Sequence, residues 1–428
     1  MKTSNRTSER VKNAVIVLLL ISAVLTGWAS RLFGNSQARP LAALVGLYDK
    51  LTASSGGAAA ERFTEAARPW TVVITNGAGG RYGVRYDTRE RDAIYGRTSG
   101  LLGEALGSAG EPVKIPRERW QSALGGAGIY YEYALPVRLA ILGGWFGARV
   151  EGIWRETPVR RIAIVRGKDA GVLLYQDAET GDFFEAKTAE ISGLESVVDL
   201  YGGNGALFAF ERGLPLGDGC AVLFDGANVH PVVEALSPLE DEDKLVSVLN
   251  TLGVSEHLKY SYIDRDGARV YVEQSATISV SPSGIVHYRV DERTAPADTR
   301  LDEAAAIELA RDIVARTAGL YCGEADVSLS GARAASYGVW EVEFVYTIAG
   351  GRIDASLGVP AARVVITGAE ITELELYFRT YHTASATVEL LPEVLSAAAA
   401  GGMCRLVYVD SGGVTIEPVW MVWPEGAA

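Results

Sequence analysis

Cysteine is scarce: Cys220, Cys322 and Cys404 are the only three in 428 residues. They lie far apart, so no C-x-x-C pair exists for zinc or thiol–disulfide work. An odd count allows one disulfide at most, and so few cysteines exclude a small disulfide-stapled scaffold. The plain expectation is three small apolar side chains in cores. Histidine is nearly as rare. His230, His257, His287 and His382 fall in no H-E-x-x-H or related spacing, and no metal ligand set is expected. His287 sits in a strand-like run and reads as a side chain on a sheet face. There is no G-x-S-x-G elbow and no S-x-x-K, so the sequence names no catalytic residue. No basic stripe with interleaved aromatics appears either, and nucleic acid is excluded as a partner.

What is present is apolar content and acid. Hydrophobic residues make up 48% and charged residues 22%, enough to bury proper cores. Forty-eight glycines and 15 prolines supply many turns, which suits a strand-rich body. The net charge of −13 is unevenly placed. Lys2, Arg6, Arg10, Lys12, Arg31 and Arg39 face only Glu9 in residues 1–39, a surplus of five positive charges that leaves −18 for the rest.

Residues 14–29 read AVIVLLLISAVLTGWA, with Ser22 and Thr26 as the only polar interruptions. Counted from 13 to 33, with Arg31 snorkelling outward, the stretch reaches the roughly 20 residues that a spanning helix needs. Trp28 sits where an interfacial aromatic belongs, and the preceding cations place residues 1–12 in the cytoplasm. The expectation is a single-pass cell-membrane protein in contact with the lipid bilayer, its body extracytoplasmic. A cleaved signal peptide is the competing reading, since Gly27-Trp28-Ala29 is a passable cleavage site. Ala23 with Gly27, and Ser22 with Thr26, put small residues four apart on one helix face, where a second membrane helix can approach closely.

The body reads as α+β. Residues 34–60 form a juxtamembrane segment, with an amphipathic helix expected over 40–54 and a flexible Ser/Gly joint after it. A mixed N-terminal domain is expected over 61–250, with strands at 70–75 and 82–86 around an Asn76-Gly77 turn. Helices are expected at 95–106 and 117–124, and strand pairs at 161–166 with 171–176 and 205–210 with 221–224. From 260 the pattern is regular. Strands at 260–263, 269–273, 277–281 and 286–290 are separated by Asp266-Gly267 and Ser283-Gly284, both good hairpin turns. A helix over 301–318, with Thr299 as candidate cap and an Ala306/Ala310/Ile313/Val314 stripe, precedes strands at 327–330 and 339–348. Strands at 364–367 and 374–379, a helix at 392–400 and a hairpin over 404–423 follow. This suggests two tandem antiparallel sheet-plus-helix units, 251–350 and 351–428.

Three motifs imitate chemistry. Asn76-Gly77-Ala78-Gly79-Gly80 could suggest a phosphate loop, but Tyr82 stands where a dinucleotide motif needs glycine, so a hairpin turn is expected. Asp264-Arg265-Asp266-Gly267 lacks the later acidic ligand of a calcium loop and reads as a turn. Glu240-Asp241-Glu242-Asp243 reads as a solvated helix start, favoured at the positive end of the dipole.

Taken with the strand at 70–75, four features carry a resemblance. They are the Trp120-to-Leu135 region with its Tyr-rich strand before Pro136, the hairpins from Tyr271 to Tyr288, the alanine-rich helix after them, and the terminal Glu417-Pro418-Val419-Trp420. In this layout the chain resembles the YycH/YycI regulators, membrane-anchored accessory proteins of the WalK (YycG) sensor kinase. The resemblance covers most of the chain. It implies sheet-and-helix units of the PepSY/YycI kind, no enzymatic activity and no cofactor. It also implies a membrane sensor histidine kinase as partner, with a sister YycI-like protein beside it, and a role in cell-wall homeostasis. An extracytoplasmic peptide-binding or protease-restraining module, and an envelope hydrolase, are the alternatives.

Overall fold

The run TVVIT at Thr71–Thr75 (β1) is buried at every position, although alternate residues of a strand point to opposite faces. Both faces of its sheet must therefore be covered, and they are. The computed structural model describes residues 68–422 apart from 169, 215–220, 227, 255–260, 274–275, 292–299 and 401–403. The expected membrane helix, cytoplasmic tail and juxtamembrane segment fall outside these residues, as do Thr299, His257 and Cys220. No helix among the described residues is long and apolar enough to cross a membrane.

β1 turns through Asn76 into β2 (Arg81–Val84) and leads to the long helix α1 (Thr88–Ser108). β3 (Val113–Ile115), α2 (Arg117–Leu124), β4 (Gly128–Arg138) and α3 (Leu139–Trp145) follow. β5 (Pro158–Arg166), β6 (Gly171–Asp177) and β7 (Phe183–Lys187) complete a seven-stranded antiparallel sheet of order β2-β1-β4-β5-β6-β7-β3. Val72, Ile74, Tyr131 and Ile162 pack on the α1 side, and Val73, Tyr130, Ala163 and Leu174 pack with Trp120 of α2 on the other. Asp87 caps α1 by accepting from the Glu90 amide at 2.9 Å, which is why that helix starts seven residues before the expected position.

A short helix α4 (Leu194–Val198) leads to the ribbon β8 (Ala206–Phe208) and β9 (Val222–Phe224). Then come β10 (Asn228–Leu236) and α5 (Glu242–Thr251). The four-strand meander β11 (Ser261–Ile263), β12 (Arg269–Glu273), β13 (Ala276–Val280) and β14 (Ile285–Val290) has the expected hairpin registers. α6 (Glu303–Arg316) is capped by Asp302, whose carboxylate accepts from the Ala305 amide at 2.8 Å, and its expected stripe is buried.

β15 (Asp326–Ser336) and β16 (Val339–Ile348) pair, then β17 (Gly351–Ala355), β18 (Ala362–Thr367), β19 (Glu370–Tyr377) and β20 (Thr380–Leu390) follow. α7 (Glu393–Ala399), β21 (Cys404–Asp410), β22 (Thr415–Ile416) and β23 (Pro418–Val422) end the described chain.

The strand order corrects the expected division into tandem units. β11-β12-β13-β14-β19-β18-β16-β17-β21-β23, with β15 beside β16, form one eleven-stranded sheet drawing on both proposed halves. The boundary expected at 350 lies inside it, in the tight β16–β17 turn. The reason is β14, which finds its neighbour in β19 and so joins the two segments edge to edge. β17 and β21 are parallel, the one departure from antiparallel pairing in this sheet. The boundary at 250 also fails as a division of contacts, because β10 pairs with β20 and β22 from the far end of the chain.

Candidate functional site

The two large sheets meet along a junction built from side chains remote in sequence. The Ala349-Gly350 turn docks on the first sheet, and the Trp70 indole donates to the Gly350 carbonyl at 2.9 Å. Gly350 has φ +71°, and a Cβ there would lie 2.6 Å from the Arg85 carbonyl oxygen and 2.7 Å from the Tyr86 Cα. Only glycine combines that backbone with that approach. Beside it, Arg85 and Glu393 form an ion pair of 2.5 Å with side chains 2% and 0% exposed. Arg85 also donates to Thr71 Oγ1 and the Val222 carbonyl, both at 2.8 Å, and Glu393 accepts from the Phe224 amide at 3.2 Å. Burial pushes the Glu393 carboxyl up, against the pull of Arg85.

A second buried pair, Glu132 with Arg161 at 3.2 Å, lies across β4 and β5, and Arg161 reaches on to Gln176 of β6 at 2.9 Å. Burial alone would raise the Glu132 carboxyl, but Arg161, Arg160 and Arg85 outweigh it and hold the group below the usual carboxylate range. In the second sheet Asp410 accepts from Arg379 at 3.0 and 3.2 Å, from Tyr381 at 2.9 Å and from the Gly412 amide at 2.8 Å. Each pair is hydrogen-bonded on several sides, as buried charges must be. With their partners drawn from the protein's own interior, these groups read as structural.

Next to the junction lies a cleft of about 510 Å³. One wall comes from the first sheet and its helices, with Trp70, Tyr133 and Trp145; the other comes from α6, β15 and β16, with Ala315, Leu329 and Phe344. Across it Arg68 meets Asp92 at 3.2 Å and Asp326 at 3.9 Å, and Arg91 meets Asp92 at 2.9 Å and Asp326 at 3.8 Å. Arg138 pairs with Glu303 at 2.5 Å, and the Trp145 indole donates to Glu308 at 2.9 Å. The Tyr133 hydroxyl is buried with no hydrogen-bond partner among the described residues, and burial pushes it upward. Sequence reasoning missed this cleft, because its walls are drawn from five separate segments.

The residues singled out by sequence scatter. The expected contact face of Ser22, Ala23, Thr26 and Gly27 lies outside the described residues. His230 is buried between Tyr86 and Trp420, its Nε2 without a hydrogen bond among the described residues, and burial lowers its pKa to about 4. His287 on β14 lies 3.6 Å from Glu375, and His382 on β20 lies 3.8 Å from Glu324, both at the surface. No group of three metal-binding side chains occurs among the described residues. Cys322 and Cys404 are buried, and burial raises Cys322 to about 11.

The Asn76 loop is a hairpin turn, its side-chain oxygen accepting from the Ala78 and Gly80 amides at 3.0 and 2.8 Å. Asp264 closes its own turn by accepting from Asp266 and Ala268 at 2.9 and 2.8 Å. The acidic run opens α5, where Asp241 is the cap.

No family model matches the chain, and no curated protein matches it in sequence. Among solved structures it is similar to the crystal structure of YycH from Bacillus subtilis, with a TM-score of 0.55 and 12% identity. The match covers 84% of this chain and 94% of that one. At that identity the likeness speaks for architecture: the chain has a YycH-like, mixed α+β fold.

Proposed function

We propose that this protein is a membrane-anchored, extracytoplasmic regulator of a two-component sensor kinase, acting without chemistry of its own. The observation that carries the reading is the YycH-like fold, which spans 84% of the chain. The basic start and the apolar stretch 13–33 support an anchor, and the small-residue face of Ser22, Ala23, Thr26 and Gly27 suits contact with a kinase helix or with a sister protein of similar design. A regulator of this kind acts only by binding one kinase state better than another. Allosteric coupling typically amounts to about 1–3 kcal/mol, a scale that a few interhelical contacts can reach.

The test replaces residues 13–33 with an unrelated membrane helix and measures kinase autophosphorylation in vesicles, with site-specific crosslinking from the body. The replaced helix is expected to change kinase output by about five-fold or more, the lower end of that coupling range. Unchanged output together with no crosslink to any kinase overturns the proposal.

A further inference from the structure

We propose that the amphipathic helix expected over 40–54 of this same chain lies in the cleft beside the junction, its apolar stripe against the aromatic walls. This goes beyond the kinase reading and does not require it, since the argument uses only the cleft and the sequence that leads to it.

Connectivity brings the segment there. Arg68, Pro69 and Trp70 line the cleft, so the chain enters the described fold at its rim. Residues 55–67 span at most about 45 Å when extended, and Ser55-Gly56-Gly57 gives them a flexible start. A helix on so short a tether meets the cleft at a local concentration of about millimolar order, ahead of a ligand arriving from solution.

Its pattern fits a groove. Leu41, Leu44, Val45, Tyr48 and Leu51 recur at helical spacing and share one face, while Gly46, Asp49, Lys50 and Ala53 fall on the other. Apolar anchors at i, i+3, i+4 and i+7 are those of a helix laid in a hydrophobic groove. The polar face holds a single cation, matched by Asp49. A helix that rests on a bilayer surface is rich in cations there, so this composition favours a protein groove over lipid.

The cleft calls for such a stripe. Trp70, Trp145, Leu329 and Phe344 give it apolar walls. Ala315, Gly319 and Gly323, at the end of α6 and just past it, carry too little side chain to hold a helix off. The lining cations are already paired, Arg68 and Arg91 with Asp92 at 3.2 and 2.9 Å and Arg311 with Glu308 at 3.0 Å. Nothing in that balance selects a charged ligand, and an uncharged stripe leaves it intact. The Tyr133 hydroxyl, on a lining residue 3% exposed, is a buried donor without a partner among the described residues. The stripe carries one side-chain oxygen able to accept from it, that of Tyr48.

The experiment places p-benzoylphenylalanine at Leu44, or at Lys50 on the opposite face, in the full chain. The protein is held in nanodiscs of phosphatidylethanolamine and phosphatidylglycerol, where the bilayer is free to compete. After irradiation, mass spectrometry maps the crosslinks. Position 44 is expected to join peptides of the same chain that carry Trp145, Ala315 or Phe344, and position 50 is not. Ala315→Trp, at an exposed cleft position, is expected to abolish the crosslink with the unfolding midpoint unchanged. Should that variant misfold, Leu41→Asp with Leu51→Asp makes the same test from the stripe, outside the described residues. Crosslinks from position 44 to lipid, to a second chain or to another part of the body overturn the proposal. Equal yields at 44 and 50, no crosslink at all, or a crosslink that survives the folded variant do the same.

Discussion

Replacing Glu393 with leucine strands the Arg85 guanidinium in a site that water does not reach. The two side chains are 0% and 2% exposed and 2.5 Å apart, so this is a buried pair and not a surface one. Removing one member of such a pair costs about 3–5 kcal/mol, because the remaining charge keeps its desolvation penalty and loses its compensation. Arg85→Met is expected to cost a similar amount, since Glu393 is then left buried among apolar groups. If the two sites were independent, the double variant would cost about 6–10 kcal/mol, the sum of the two. Coupling makes the expectation much smaller. With both charges gone, the remaining damage is the loss of partners for Val222 O and Phe224 N, each worth about 1–3 kcal/mol. The double variant should therefore cost about 2–6 kcal/mol, comparable to one single and short of the additive sum. Urea unfolding of the four proteins, followed by tryptophan fluorescence, closes the cycle. Single variants that lose less than about 1 kcal/mol, the range of exposed pairs, would refute the reasoning, and so would an additive double.

Two further outcomes concern the same junction. His230 stays neutral in the folded protein down to about pH 4, while the unfolded chain takes up its proton near the ordinary value of 6.5. Stability through this group is therefore lost as pH falls from 6.5 towards 4, at no more than about 1.4 kcal/mol per pH unit, and His230→Phe should flatten that part of a urea-midpoint-against-pH curve. Equal slopes for the two proteins would remove His230 as the cause. Gly350→Ala sets a Cβ against the Arg85–Tyr86 backbone and should destabilise by about 1–3 kcal/mol, with a shift in Trp70 emission as the indole loses its carbonyl acceptor. An unchanged emission maximum and midpoint would show that the turn does not press on the first sheet.

Local signals read well where the chain pairs with itself nearby. α2 was legible at both ends, since its apolar residues recur at helical spacing between Pro116 and Gly125. The meander β11–β14 was legible because two of its three turns carry an Asp-Gly or Ser-Gly signal between strands of alternating pattern. β10 and β20 were not read as strands. Thr380–Leu390 reads TYHTASATVEL, rich in threonine but without apolar alternation, since most of its side chains face outward. Its partner lies some 150 residues earlier, and nothing local announces it. Arg85 and Glu393 are 308 positions apart, so neither residue type nor spacing could bring them together. The cleft escaped for the same reason: its walls belong to segments that only the completed sheets bring face to face.

The β10–β20 pairing has a consequence for how the protein is made. A strand whose neighbour is encoded about 150 residues later must wait for it, roughly 8–30 s at ordinary synthesis rates. Throughout that interval β10 presents an open edge, with an apolar stretch around Val232 and Val233 that is buried only at the end. A ribosome that stalls, or a premature stop before codon 380, would thus release not a working first half but a sticky one, which places the last tenth of the message in charge of whether the earlier part survives.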